Sequence, residues 1–200
     1  MMNKAIFGGT FDPIHNGHIH IAYNCLYALN MDEIIFMPSG NPPHKTDKEI
    51  TDAGIRYELV KMATRSESRF KVSDFEINNK ELSYTYKTLE HFKNLEPDTQ
   101  WWFLTGADCL IELDMWKSVD RILEASNLIV FSRPGHDKKD IIEQKKRVEN
   151  IYNKKITFLE VPLMDISSTY IKNEIREGKN ISYMMPEGVY NSILQLKLYK

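Results

Sequence analysis

Residues 6–18 read IFGGTFDPIHNGH, and this stretch places two glycines and two histidines between a predicted strand and a predicted helix. The apolar run that ends at Phe7 is typical of a buried parallel strand. A strand, a glycine turn and a helix in this order predict an α/β protein with an anion site at the turn. Beyond Pro13 the apolar residues recur at helical spacing, at Ile19, Ala22, Leu26 and Leu29.

The glycines and histidines of this turn are suited to binding phosphate. Gly8 and Gly9 lack the Cβ atoms that would keep a ligand away from the backbone. We expect His15 and His18 near the first helical turn, where unpaired N–H groups and the helix dipole favour an anion. Their imidazoles add donors that contact phosphate oxygens and stabilise charge as it moves between them.

Two simpler interpretations of the histidines compete with phosphate binding. His15 and His18 could ligate zinc together with His20 and His44, or they could be ordinary residues at a helix start. The two cysteines are not at metal-binding spacing, and His20 is expected to point away from the pair. Two histidines shortly after GGTFDP make an ordinary helix start less attractive than phosphate binding.

Composition narrows the class of protein. The chain has 200 residues, 42% hydrophobic content and a formal net charge of −2, which predicts one globular domain spanning residues 1–200. This charge argues against nucleic-acid binding, and no apolar run reaches the length needed to span a membrane. Without a signal-peptide pattern we expect a cytoplasmic protein with Cys25 and Cys109 reduced. A homo-oligomer is left open.

Predicted strands and helices alternate along the chain. This order predicts a Rossmann-like α/β fold with a parallel sheet, helices on both faces and a short helical tail. The expected strands are 2–7, 33–39, 70–77, 100–106, 127–132 and 156–162. The expected helices follow Pro13 and cover 55–64 (capped by Thr51 or Asp52), 83–95 (capped by Ser83), 109–113, 118–125, 138–152 and two tail segments starting near Ser167 and Pro186. Neither GxGxxG nor GxxxxGK[ST] is present, which argues against a dinucleotide oxidoreductase and a P-loop nucleotide hydrolase.

Residues 165–178 read DISSTYIKNEIREG and form a second candidate phosphate site. Ser167 or Ser168 is expected to cap a helix whose free N–H groups face the carboxyl edge of the sheet. Taken alone, this pattern is more typical of ordinary helix capping than of a phosphate site.

Three other stretches carry candidate binding residues. Residues 41–47, NPPHKTD, present His44 and Lys45 in a proline-restricted loop, where a basic pair could hold a phosphate or simply be solvated. Thr85 lies at a predicted helix start, where it can offer a backbone donor. Residues 106–123 contain Asp108, a candidate ribose ligand, and Trp116, which either stacks on an aromatic ring or fills the core.

The first stretch resembles the GxFDPxHxGH signature of adenylyltransferases in the nucleotidyltransferase superfamily. The resemblance implies that His15 and His18 are catalytic and contact the ATP phosphates. A second signature, ISSTxIR, resembles the downstream stretch, although Lys172 stands at its arginine position and Arg176 lies one turn later. The implied ATP ligands are Gly8, Gly9, Thr10, Phe11, His15, His18, Gly106, Asp108, Ile166, Ser167, Ser168, Thr169 and Lys172.

Across almost its whole length the chain resembles bacterial nicotinate mononucleotide adenylyltransferases, through PPHK, an S-Y-T segment, G-x-D, W-K and SRPG. The family implies Mg²⁺ with ATP, and nicotinate mononucleotide as acceptor. Trp116 would stack on the nicotinate ring, and backbone groups of Thr85 and Lys117 would receive its carboxylate. His44 and Lys45 would lie near the mononucleotide phosphate, and Arg133 beside the adenine. The alternatives are nicotinamide mononucleotide or phosphopantetheine as acceptor, or a noncatalytic nucleotide-binding module.

Overall fold

The computed structural model of the chain describes residues 1–41, 50–79, 82–131, 138–162 and 164–200. Within these residues, six strands form one sheet in which every pairing is parallel. Their order is β3-β2-β1-β4-β5-β6, so the sheet grows outward in both directions from β1 and β4. The strands are β1 (Asn3–Gly9), β2 (Glu33–Pro38), β3 (Phe70–Val72), β4 (Gln100–Gly106), β5 (Asn127–Phe131) and β6 (Ile156–Leu159).

Helices cover both faces of the sheet. Alternate residues of each strand point to opposite faces, so Phe7 joins one core cluster while Ile6 joins the other. Leu26 and Ile171 pack in the first cluster, and Leu89 and Ile122 pack in the second. The predicted parallel sheet with helices on both faces is therefore confirmed. The helices are α1 (Asn16–Ala28), α2 (Ala53–Thr64), α3 (Phe75–Asn78), α4 (Thr85–Leu95), α5 (Ala107–Ile111), α6 (Val119–Ala125), α7 (Lys138–Tyr152), α8 (Ser168–Arg176) and α9 (Val189–Gln195).

The third strand is shorter than predicted. Strand β3 stops at Val72, and residues that were expected to extend it form helix α3. The backbone N–H of Ser73 still donates to Phe36 O at 3.0 Å, but its hydroxyl then accepts from Phe75 N at 3.2 Å. This local side-chain bond turns the chain out of the sheet, so the prediction of a strand over 70–77 was wrong in its second half.

Several predicted helix boundaries also shift. Helix α4 begins at Thr85, and Ser83 does not cap it, because its hydroxyl accepts from the backbone N–H groups of Gly40 and Asn41. Helix α9 begins at Val189, after Gly188, whose φ is 83°, rather than at Pro186. Asp52 caps α2 as predicted, accepting from Gly54 N and Ile55 N. The helix predicted at 109–113 is α5, followed by a short 3₁₀ turn at Leu113–Met115.

The buried face of α1 is rotated from the one predicted. Gly17, Ile21, Ala22, Cys25 and Leu26 are buried, whereas Ile19 and Leu29 are only partly buried. Cys25 and Cys109 are both free thiols, as expected. In the described part of the chain, no helix combines the length and apolar character needed to cross a membrane.

Candidate active site

The two glycines of the first stretch end strand β1 at the carboxyl edge of the sheet. Gly9 O accepts from Ser39 N at 2.9 Å, which joins this edge to the end of β2. A Cβ on Gly9 would lie 2.9 Å from the Phe11 ring, so a larger residue would displace that ring. Phe11 is 2% exposed with a φ of 48°, and the Asp12–Pro13 peptide that follows is cis. The Phe11 ring therefore packs against the end of β1, at the edge of the sheet where α/β proteins bind ligands.

His15 and His18 form a stacked pair at the start of α1. Their ring centroids are 3.7 Å apart with an interplanar angle of 30°. The backbone N–H of His15 donates to Nδ1 of His18 at 3.3 Å, and His18 N donates to His15 O at 2.9 Å. Because Nδ1 of His18 accepts a hydrogen bond, Nε2 carries the proton of the neutral ring. The site thus presents an imidazole N–H donor suited to a phosphate oxygen.

Gly17 makes room for this pair. A Cβ on Gly17 would lie 2.9 Å from Nδ1 of His15, whose residue is 1% exposed. The same Cβ would lie 3.6 Å from Ile166 O, which belongs to the second motif. His20, in contrast, is directed elsewhere, with Nε2 3.0 Å from Pro162 O. Among the described residues no group of three or more histidine, cysteine, aspartate or glutamate side chains is arranged to hold a metal ion.

The second motif packs directly against the first. Ser167 caps α8 by accepting from Tyr170 N at 3.2 Å, and the hydroxyl of Ser168 donates to Pro13 O at 2.9 Å. Thr169 is exposed in the first turn of α8. The structure therefore brings the N-terminus of α8 beside the histidine loop, as the two signatures predict.

Lys172, which stands at the arginine position of the second signature, contacts the first motif. Its Nζ lies 2.9 Å from Oδ2 of Asp12, and the hydroxyl of Tyr199 donates to Oδ1 of the same carboxylate at 2.7 Å. Arg176 is exposed, and its nearest hydrogen bond is to Asn173 Oδ1 at 3.1 Å. Of these two cations, Lys172 is the one that touches the histidine loop.

Asp12 is a buried and charged member of this loop. The residue is 5% exposed. Burial alone would raise its pKa, but hydrogen bonds from Lys172, Thr51 and Tyr199, with the positive charge of Lys172, hold the pKa of Asp12 below its ordinary value. The carboxylate is therefore ionised at neutral pH.

Arg56 on α2 is a buried residue of the site that the sequence reasoning missed. It is 1% exposed, and its guanidinium donates to three backbone carbonyls, those of Thr51, Thr10 and Ser39, at 2.8, 2.6 and 2.7 Å. Burial lowers the pKa of Arg56, which the charge of Asp12 opposes. The sequence does indicate that Arg56 is buried. It lies on the same face of the predicted helix as the apolar residues Leu59 and Val60, which follow it by three and four positions.

A cavity of about 500 Å³ opens beside the glycine loop. Gly8, Gly9 and Thr10 are among the residues that line it. The three residues of the predicted acceptor site that the structure describes, Thr85, Trp116 and Lys117, also line this cavity. Trp116 packs edge-on against Phe103, with ring centroids 6.0 Å apart, and Nζ of Lys117 lies 4.5 Å from the centroid of the Tyr84 ring.

The cavity wall also contains a carboxyl group that was missed. Glu76 accepts from the hydroxyl of Thr88 at 2.7 Å, and both residues line the cavity. Burial raises the pKa of Glu76, against the opposing hydrogen bonds from Thr88 and Ser83. The sequence placed this residue in a strand, so nothing in the pattern indicated a site.

The remaining predicted residues lie around this region or outside the described chain. Gly106 ends β4, and Asp108 is exposed in the first turn of α5, while their neighbours Thr105 and Cys109 line the cavity. Burial raises the pKa of the Cys109 thiol, and it raises that of Cys25 to about 12. His44, Lys45 and Arg133 lie outside the described residues.

Comparison with known proteins identifies the family of the chain. Residues 6–174 match the family model described as cytidylyltransferase-like. A protein of Clostridium novyi named "Probable nicotinate-nucleotide adenylyltransferase" is 56% identical over 200 residues, and one of the same name from Clostridium kluyveri is 59% identical over 203 residues. Both alignments cover 100% of each chain.

Solved structures support the fold independently of close sequence similarity. The Plasmodium falciparum nicotinic acid mononucleotide adenylyltransferase complexed with NaAD superposes with a TM-score of 0.80 at 20% identity, covering 100% of this chain and 98% of that one. At this identity the likeness concerns the fold alone. The family assignment rests on the model match and on the two full-length relatives: the chain belongs to the cytidylyltransferase-like family and, within it, to the nicotinate-nucleotide adenylyltransferases.

Proposed function

We propose that the chain transfers the adenylyl group of ATP to nicotinate mononucleotide, giving nicotinate adenine dinucleotide and pyrophosphate in NAD biosynthesis. The observation that carries this proposal is the shared glycine loop. The loop leads into the His15–His18 pair, and its residues Gly8 to Thr10 also line the cavity that contains Trp116. A phosphate-binding pair and an aromatic acceptor pocket therefore meet at one edge of the sheet.

The chemistry needs no protein nucleophile. A phosphate oxygen of the mononucleotide attacks the α-phosphorus of ATP in line, and a new P–O bond forms. The bond from the α-phosphorus to its bridging oxygen breaks, and the electron pair leaves with pyrophosphate. Because the attacking oxygen is already anionic, the work of the enzyme is to position the reactants and stabilise charge.

In this proposal the ATP side of the site is built from the two signatures. His15 and His18 are the catalytic residues and contact the reacting phosphates. The backbone of Gly8 to Phe11 and the residues Ile166 to Thr169 at the start of α8 offer N–H and hydroxyl donors. Lys172, Gly106, Asp108 and Arg133 complete the proposed set of ATP ligands.

The acceptor side is proposed to use the cavity. Trp116 stacks on the nicotinate ring, and the backbone N–H groups of Thr85 and Lys117 receive its carboxylate. Thr85 supports this role as the first residue of α4, where backbone N–H groups have no helical partner. His44 and Lys45 are proposed to approach the mononucleotide phosphate.

Magnesium is proposed to accompany ATP. The donors around the loop are N–H groups, imidazoles and hydroxyls, and the Asp12 carboxylate already binds Lys172 and Tyr199. Such a donor set fits an ion that keeps phosphate and water oxygens as its ligands. When bound, the ion neutralises part of the triphosphate charge, and His15 and His18 remain directed at the phosphates.

Three further expectations belong to this proposal. We expect residues 1–200 to act as a single nucleotidyltransferase domain, in the cytoplasm, with no nucleic-acid or membrane partner. A homo-oligomer is compatible with the proposed reaction, because each chain supplies both sides of the site.

The test compares acceptors. Pyrophosphate release is measured with ATP and Mg²⁺ in the presence of nicotinate mononucleotide, nicotinamide mononucleotide or phosphopantetheine, and kcat/KM is determined for each. The proposal expects the highest value with nicotinate mononucleotide. A preference for another acceptor would reassign the substrate, and ATP binding without pyrophosphate release from any acceptor would indicate a noncatalytic nucleotide-binding module.

A further inference from the structure

The loop between β1 and α1 is held in place by side chains from distant parts of the chain. Arg56 donates to Thr10 O at 2.6 Å, and Ser168 donates to Pro13 O at 2.9 Å. Between these two points, Asp12 binds Lys172 and Tyr199 at 2.9 and 2.7 Å. Side chains from distant parts of the sequence therefore contact the loop between Gly9 and His15 at Thr10, Asp12 and Pro13.

Tyr199 belongs to the segment after α9, and its side chain contacts the loop between β1 and α1 at Asp12. Lys197, whose φ is 55°, ends α9 in a Schellman turn, in which its backbone N–H donates to Leu194 O at 3.2 Å. Leu198 N donates to Ile193 O at 3.0 Å, and both Leu198 and Tyr199 pack against the core on the α1 face of the sheet. The end of α9 and these core contacts together place the Tyr199 ring beside the loop.

The Tyr199 hydroxyl is suited to act as a donor to a carboxylate. Burial, together with the negative charge of Asp12, raises its pKa above the ordinary value, so the hydroxyl keeps its proton. Nζ of Lys172 lies 5.5 Å from the centroid of the Tyr199 ring, which is favourable for a cation beside an aromatic face. Tyr199 therefore contacts both members of the Asp12–Lys172 ion pair.

We propose that Tyr199 is a positioning residue for adenylyl transfer, which holds the Asp12 carboxylate so that the loop presents His15 and His18 to the reacting phosphates. This inference rests on the proposed function. Tyr199 acts through Asp12 rather than by touching substrate. Displacement of a loop by about 1 Å can cost about a hundredfold in rate, because the reacting groups are no longer aligned.

The test uses Tyr199→Phe, with Tyr190→Phe as the matched control. Tyr190 also loses one hydroxyl, whose bond to Lys179 O at 3.3 Å lies at the surface. With saturating substrates we expect Tyr199→Phe to lower kcat roughly tenfold to a hundredfold. The control should retain wild-type kcat, and thermal unfolding should show that both variants are folded at the assay temperature.

A double substitution separates positioning from a general structural effect. If Tyr199 acts through Asp12, adding Tyr199→Phe to Asp12→Asn should lower kcat by less than twofold beyond Asp12→Asn alone. Losses that multiply in the double variant would overturn the proposal. An unchanged kcat in Tyr199→Phe would overturn it as well.

A second readout does not depend on turnover. The ring resonances of His15 and His18, assigned by substitution, should shift in Tyr199→Phe and stay fixed in Tyr190→Phe. Histidine signals that are unchanged in Tyr199→Phe would refute the positioning role. If the wild type releases no pyrophosphate with any acceptor, the proposed function fails, and these signals still decide the role of Tyr199.

Discussion

At the scale of single residues, the geometry of the histidine pair indicates which nitrogen of His18 is the donor. His18 accepts at Nδ1 from the backbone of His15, which fixes the proton of its neutral ring on Nε2. A donor fixed by the backbone needs no reorganisation when charge develops on the phosphates. In the proposed reaction, this fixed donor distinguishes the pair from two ordinary histidines at a helix start.

His18→Ala removes this donor and should lower kcat roughly a hundredfold to a thousandfold, the usual cost of one transition-state donor. His20→Ala on the same helix is the control, because His20 contacts Pro162 O instead of the pair. Steady-state pyrophosphate release measures both. Turnover of His18→Ala close to that of the wild type would remove His18 from the catalytic set.

Trp116 provides a second test at this scale. If its ring stacks on the acceptor, Trp116→Ala should raise the KM for the mononucleotide about tenfold, equivalent to about 1.4 kcal/mol, with the KM for ATP little changed. Trp116→Phe should recover part of the loss. Trp102→Phe is the control, since Trp102 bonds Asn3 Oδ1 at 3.4 Å and does not line the cavity.

The opposite outcome for Trp116 has its own signature. A tryptophan that merely fills the core would lower the unfolding temperature when shortened, and the KM values for both substrates would stay near those of the wild type. Thermal unfolding measured beside the kinetics distinguishes the two roles.

At the scale of elements, Arg56 connects α2 to the ends of β1 and β2. Arg56→Ala leaves three carbonyls without this donor, so we expect the free energy of unfolding to fall by about 3 kcal/mol. Arg56→Lys keeps the charge with fewer donors and should be intermediate. Arg65→Ala, whose partner Glu187 is 3.5 Å away at the surface, should change stability by less than about 0.5 kcal/mol. Urea denaturation measures all three, and equal losses at Arg56 and Arg65 would contradict this role.

The same scale shows what the sequence could predict. Periodicity identified β1, β2, β4, β5 and β6, because their apolar runs are long and bounded by turn residues. Periodicity failed after β3, because the residues at 75–77, Phe-Glu-Ile, are compatible with a strand or a helix. The hydroxyl of Ser73, which accepts from Phe75 N, favours the helix. Ser83 was assigned to the nearer helix end, whereas its partners are Gly40 and Asn41, more than forty positions earlier.

At the scale of the whole molecule, the site depends on contacts that no local pattern contains. The pairing of Asp12 with Tyr199 spans 187 positions, and its pairing with Lys172 spans 160. The two signatures, at residues 6–18 and 165–178, could be recognised from the sequence, because each is contiguous and each includes the start of a helix. The buried charges that join them follow only from the packing of α2, α8 and the segment after α9 against one loop.

This network makes stability depend on pH in a defined direction. The pKa of Asp12 is lower in the folded chain than in the unfolded one, where it is about 3.9. The stabilisation is therefore complete above the unfolded pKa and is lost as the pH falls through the folded one. The groups that face Asp12 are Lys172, Arg56, Tyr199 and the hydroxyl of Thr51, of types that do not titrate in this acid range.

Asp12→Asn isolates this contribution, because the other carboxylates are common to both proteins. The wild type should be more stable than Asp12→Asn by a constant amount from pH 7 to about pH 5, and the difference should shrink below about pH 4. Urea denaturation at each pH measures it, with Glu187→Gln as the control, since the Glu187 side chain is 93% exposed. A difference between wild type and Asp12→Asn that is the same at every pH would show that the Asp12 charge does not stabilise the loop.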